Sequence, residues 1–188
     1  DLKAAIYRFP AQNMCRFNDL IDHAESAGVR IVNMSMGSYS QDDWTCFQDG
    51  AKQHPHILFV ISAGNDGFDI DVNPVFPASF DLENIVVVTS SDLFGRLPPQ
   101  SNYGRVSVDL MVPAEQVDVF DHRGVFTTAS GSSFAAPRVA ALAARFLKKN
   151  VEASTTDIID FLKSRAINSG STPVRFGWIP DPSDDFNL

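Results

Sequence analysis

Five short runs constrain this chain more than anything else in it: "KAAIYRF" (3–9), "RIVNMSM" (30–36), "HILFVISA" (56–63), "NIVVVTSS" (84–91) and "VDLMVP" (108–113). Most are apolar at successive positions, so a strand built from them is greasy on both sides of its pleat and must be covered on both. A parallel sheet sandwiched by helices meets that demand. Two helical stretches separate the first three runs. "FNDLIDHAESAG" (17–28) has Asn18 placed to cap and Gly28 to stop it, and "SQDDWTCFQDGAKQ" (40–53) carries acidic residues in its first turn. Strand, helix, strand, helix, strand reads as a doubly wound α/β fold with right-handed crossovers.

After the fourth run the order loosens. "FGRLPPQSNYG" (94–104) is a loop by its Pro and Gly content, and "VDVFDHRGVFTTA" (117–129) reads as a hairpin turning at "DHRG". "STTDIIDFLKS" (154–164) is a helix that Ser154 or Thr155 can cap, with Asp157 favouring its N-terminal end. Between these lies "SGSSFAAPRVAALAARFL" (130–147), where Val139, Leu142 and Phe146 recur at helical spacing among six alanines. That helix is buried. Pro137 lacks an N–H, which a first turn does not need, so the helix starts near Ser133. On these residues alone Ser133 is either an N-cap or a nucleophile placed where the dipole and free N–H groups favour an oxyanion.

At 188 residues and 44% hydrophobic content the chain suits a single domain, residues 1–188, with a substantial core. Its 15 basic and 23 acidic residues give a net charge of −8 without clustered Lys or Arg, which argues against a nucleic-acid surface. No run is long enough to span a bilayer, and no signal-peptide pattern opens the sequence, so an export signal would lie upstream of residue 1. Cys15 and Cys46 show no metal-site spacing and can pair or stay reduced.

In open α/β sheets ligands bind beyond the carboxyl ends of the strands. There the chain offers Ser35-Met36-Gly37 and Ser62-Ala63-Gly64-Asn65-Asp66-Gly67: small residues, bare backbone and one amide, which alone is an ordinary turn residue. Neither stretch is a nucleotide cradle. Together, however, "NMSMG", "SAGNDG", "FPASF" and "SGSSFAAPRVA" resemble, in order and approximate spacing, segments of the subtilisin-like serine proteases (subtilases, peptidase S8), with "FGWI" (176–179) a faint further echo. The resemblance covers the later part of that family's catalytic domain. It implies a three-layer subtilisin-like fold lacking the N-terminal strands that carry the catalytic Asp and His.

What the resemblance implies for function follows residue by residue. Ser133 would attack the scissile carbonyl, and Asn65 with the Ser133 backbone N–H would hold the oxyanion. Ser35, Met36 and Gly37 would pair with an extended peptide as an added strand, and Ser62, Ala63 and Gly64 would line one wall of the specificity pocket. Small residues then flank Ser133 because a substrate backbone must come close. The family's Asp-[Ser/Thr]-Gly and His-Gly-[Thr/Ser]-His motifs have no counterpart in this sequence, and a serine without a base is a poor nucleophile. His54 and His56 precede their strand by its full length, about 17 Å from its carboxyl end; His23 is on a surface helix, and His122 is at a hairpin tip. None is placed to serve. The expectation is an endopeptidase whose Asp and His come from a segment outside this chain, in cis or in trans, with an inactive peptide-binding module as the alternative. No cofactor is implied: calcium belongs to the complete family domain, and no acidic cluster here has EF-hand spacing. Family resemblance leans towards an exported protein. Arg138 stands where the family commonly has histidine.

Overall fold

The computed structural model describes residues 3–8 and 13–183. In chain order the elements are α1 (Arg16–Ser26), β1 (Ile31–Met34), α2 (Thr45–Gln53), β2 (Leu58–Ser62), β3 (Ile85–Ser91), β4 (Leu110–Pro113), β5 (Val117–Phe120), β6 (Phe126–Ala129), α3 (Ser132–Lys149), α4 (Thr155–Ser164) and β7 (Gly177–Trp178). Five strands form one parallel sheet in the order β1-β2-β3-β4-β7, and β5-β6 is a separate antiparallel hairpin.

The doubly apolar runs explain the layers. Along β2, Phe59 and Ile61 face one core with Phe17 and Ile21 of α1 and Phe47 and Ala51 of α2. Leu58 and Val60 face the other, with Val139 and Leu142 of α3 and Ile158 and Leu162 of α4. Alternate residues of one strand thus supply two cores, as a sheet covered on both faces requires. α3 packs across β1, β2, β3 and β4 and is the central support of its layer.

Several local expectations need correction. "KAAIYRF" is not a strand: residues 3–8 carry no ladder and Ile6 is 98% exposed, with Phe9 outside the described residues. Among the described residues β1 has one neighbour, β2, and the run does not pair with its other edge. Asn18 lies inside α1, whose N-cap is Cys15. Asp42–Trp44 forms a 3-10 turn ahead of α2 rather than its first turn. Trp178 belongs to a short strand that pairs in register with Met111, so "FGWI" closes the sheet on the side away from β1. Gly28 does end α1, at φ +73°. Ser154 and Asp157 make a reciprocal capping box on α4. Cys15 and Cys46 are joined by a disulfide that ties the start of α1 to that of α2.

Candidate active site

The start of α3 differs in detail from the reading of its sequence. Its N-cap is Gly131, at φ +121°, a conformation that L side chains rarely adopt. A Cβ there would also approach Asn65 Oδ1 to 2.7 Å. Ser132 and Ser133 are therefore the first two helical residues, and the N-cap reading of Ser133 does not hold. Pro137 is the sixth residue, so the carbonyl its missing N–H would have served is that of Ser133. Ser35 fills the gap: its hydroxyl donates to Ser133 O at 2.9 Å.

Ser132 makes the second link. Its backbone N–H and its hydroxyl both donate to Asn65 Oδ1, at 2.8 and 3.1 Å. The same hydroxyl accepts from the Gly64 N–H at 3.1 Å. Two donors on Oδ1 fix which way the carboxamide is turned and leave its NH2 group free to meet something else. Asn65 is exposed, whereas Ser132 is fully buried. Among the described residues the Ser133 hydroxyl has no hydrogen-bond partner. Its N–H is one of the unpaired donors at the positive end of an 18-residue helix.

Ser35 and Ser133 thus touch directly, and Gly64 and Asn65 are joined to them through Ser132. Met36 and Gly37 are exposed beside Ser35. The loop that follows them is fixed by paired bonds between Ser38 and Phe76 of "FPASF", each 2.8 Å. Ser62 and Ala63 are buried, with the Ala63 N–H on Val88 O at 2.9 Å, so they present backbone rather than side chains.

Asn102 escaped the sequence reading because it sits in a loop recognised only by its Pro and Gly. It is wholly buried, and Oδ1 accepts from the Asp66 and Phe68 N–H groups at 2.9 and 3.0 Å while Nδ2 donates to Ala63 O at 2.9 Å. One amide thereby shapes the whole turn that carries Asn65. Gly64 sits at φ +99°, and a Cβ on it would strike that same amide. Tyr39 lies against Asp66, whose carboxylate accepts from the phenol and holds it above its ordinary range.

The histidines are elsewhere. His54 and His56 lie ahead of β2 against Asp22 and Glu25, His23 on α1 is edge-on to Tyr7, and His122 is exposed in the turn between β5 and β6. Among the described residues none contacts Ser133. Arg138 donates to Pro113 O at 2.7 Å, a structural tie between α3 and β4.

A small-residue cleft at the carboxyl ends of parallel strands, with an oriented amide beside a serine at a helix N-terminus, suits attack on a carbonyl and stabilisation of the oxygen it leaves charged. Known serine proteinases are similar to the chain in sequence and in fold. The chain is 30% identical over 154 residues to the alkaline elastase YaB of a Bacillus strain, covering 82% of this chain and 39% of that protein. It is 32% identical over 129 residues to a thermophilic serine proteinase of another Bacillus strain, covering 67% of this chain and 30% of that protein. The crystal structure of a cold adapted subtilisin-like serine proteinase superposes with a TM-score of 0.74 at 26% identity, covering 92% of this chain and 62% of the other. The chain therefore spans well under half the length of these two curated relatives. The model of the subtilase family matches residues 1–178, and the chain belongs to that family.

Proposed function

We propose that this chain is the serine-bearing portion of a subtilisin-type endopeptidase and that Ser133 is its nucleophile. The observation that carries the proposal is the carboxamide of Asn65, held by both donors of Ser132 directly beside Ser133. With Oδ1 spent on Ser132, Nδ2 is the donor available to an oxyanion. The Ser133 N–H is a second, backed by the helix dipole. Both act most strongly where negative charge develops, so they serve the transition state more than the ground state.

The substrate in this reading is an extended peptide. It pairs with the backbone of Ser35, Met36 and Gly37, and its side chain enters beside Ser62, Ala63 and Gly64. Ser35 also holds the Ser133 carbonyl, which couples the peptide-binding strand to the residue that attacks. Ser133 Oγ forms the acyl bond as the scissile C–N bond breaks, and its proton passes to the departing amine through a histidine, oriented by an aspartate, on a segment outside this chain in cis or in trans; water then releases the acyl group. Removing a triad member leaves only about 10³–10⁴ over water in the serine-protease case, so these 188 residues alone are expected to be nearly inactive.

The test is steady-state kinetics on a peptide ester with the upstream segment supplied. Asn65→Ala should lower kcat about 100- to 1000-fold with KM nearly unchanged, the magnitude established for a subtilisin. A loss confined to KM would reduce Asn65 to a turn residue beside a peptide groove and favour a binding module that does not cut.

A further inference from the structure

At the opposite end of the sheet from Ser133, three elements bring ionisable side chains together. α1 supplies Asp22 and Glu25, the C-cap of α2 supplies His54, and the segment leading into β2 supplies His56. One ligand atom from each of Glu25, His54 and His56 lies within 4.8 Å of the other two. His54 is only 8% exposed.

The bonding of the His54 ring is one-sided. Nε2 meets Asp22 Oδ1 in a hydrogen bond of 3.0 Å, so a neutral ring spends its proton there and presents a lone pair at Nδ1. Nδ1 is buried and has no hydrogen-bond partner, although Glu25 Oε2 is 3.1 Å away. The other Glu25 oxygen lies 2.9 Å from His56 Nε2. A carboxylate facing an imidazole lone pair is repulsive unless a positive centre, a metal ion or a proton on the ring, stands between them. Arg30 does not supply it, because its guanidinium donates to the carbonyls of His56 and Ala153 at 3.2 and 2.7 Å.

We propose that Glu25, His54 and His56 bind a divalent zinc ion, with Asp22 as the carboxylate that orients His54. Two imidazoles and one carboxylate suit zinc and its late first-row neighbours, whereas calcium and magnesium demand oxygen. Zinc bonds of about 2.0–2.2 Å in tetrahedral array put ligand atoms about 3.4 Å apart, slightly wider than the present 3.1 Å from Glu25 Oε2 to His54 Nδ1. Glu25 and His56 are 44% and 46% exposed at their side chains, which gives the ion a path from solvent and leaves its fourth position to water. Asp22 on Nε2 completes a carboxylate–histidine–metal arrangement. The ion pins the C-terminal end of α1 to that of α2, while the disulfide of Cys15 and Cys46 pins their starts. Its role is structural, and it does not depend on Ser133.

The test is calorimetric titration of the chelator-treated full-length protein with zinc chloride, together with the visible absorption of its cobalt form. Wild type should bind one zinc per copy of this domain and give the intense spectrum of tetrahedral cobalt. Glu25→Gln and His56→Ala, both at exposed positions, should fold like wild type by circular dichroism yet lose that spectrum and weaken zinc binding at least tenfold. Asp22→Asn should weaken it about tenfold while keeping the spectrum. Zinc binding that survives unchanged in Glu25→Gln and His56→Ala would place the ion elsewhere and overturn the proposal. So would a wild type that takes up no stoichiometric zinc at micromolar concentration, which would leave a protonated His54 shared between Asp22 and Glu25.

Discussion

Replacing Asp109 with Asn should stabilise this fold at neutral pH and do little in acid. Asp109 immediately precedes β4 and is largely buried; its Oδ2 accepts from the Val87 N–H at 2.8 Å, and Arg175 Nη1 stands 3.9 Å from Oδ1. Burial raises its pKa from 3.8 to about 6, against the opposing pull of the Val87 N–H and of the charges on Arg175 and Lys163. The folded chain therefore binds the Asp109 proton more tightly than the unfolded chain does. Stability is highest, as far as this group is concerned, below about pH 4, falls as pH rises towards 6, and levels off above it. A difference of about two pKa units corresponds to about 3 kcal/mol between those plateaus.

Asparagine keeps an acceptor for the Val87 N–H and carries no charge. Asp109→Asn should then gain about 2–3 kcal/mol at pH 7.5, the attraction of Arg175 being already contained in the pKa of about 6. In melting temperature that is about 4–12 °C for a domain of this size. Urea unfolding of both proteins at intervals from pH 4 to pH 8 would show a gap that opens between pH 4 and pH 6 and then stays constant. A gap independent of pH, or a variant weaker than wild type at pH 7.5, would refute the assignment of a burial-dominated carboxyl.

Further outcomes follow from packing and bonding. Leu142→Ala, at a fully buried position of α3, should cost about 2.7–5 kcal/mol by denaturant unfolding. Replacing both Cys15 and Cys46 with Ala should cost about 3–4 kcal/mol, the loop-closure value for a separation of 31 residues, and reducing agent should mimic it in wild type only. Ser35→Ala strips the Ser133 carbonyl of its donor and should lower kcat with the upstream segment present, by about tenfold for a bond worth about 1 kcal/mol or slightly more; Ser35→Thr should restore it.

Much of the fold was legible because β2 and β3 each carry four successive apolar residues, a pattern that suits a sheet covered on both faces. "KAAIYRF" has the same character yet residues 3–8 pair with no strand, and strand formation is a property of pairs rather than of segments. β7 is two residues long, too short for any period to register, and exists through its pairing with β4. In the candidate site, Asn65 and Ser133 could be found from local motifs. The roles of Ser132 and Asn102 could not, since each depends on partners more than 30 residues away. Pro137 does announce an unserved carbonyl four residues earlier, yet nothing local says that Ser35, 98 residues away, will fill it.

The central claim is that Ser133 is the nucleophile of a serine endopeptidase, and covalent labelling tests it most directly. With the upstream segment supplied in cis or in trans, a fluorophosphonate probe followed by peptide mapping should place the adduct on Ser133, and Ser133→Ala should take up no label while folding like wild type. Labelling that persists in Ser133→Ala, or maps to Ser132, would contradict the claim.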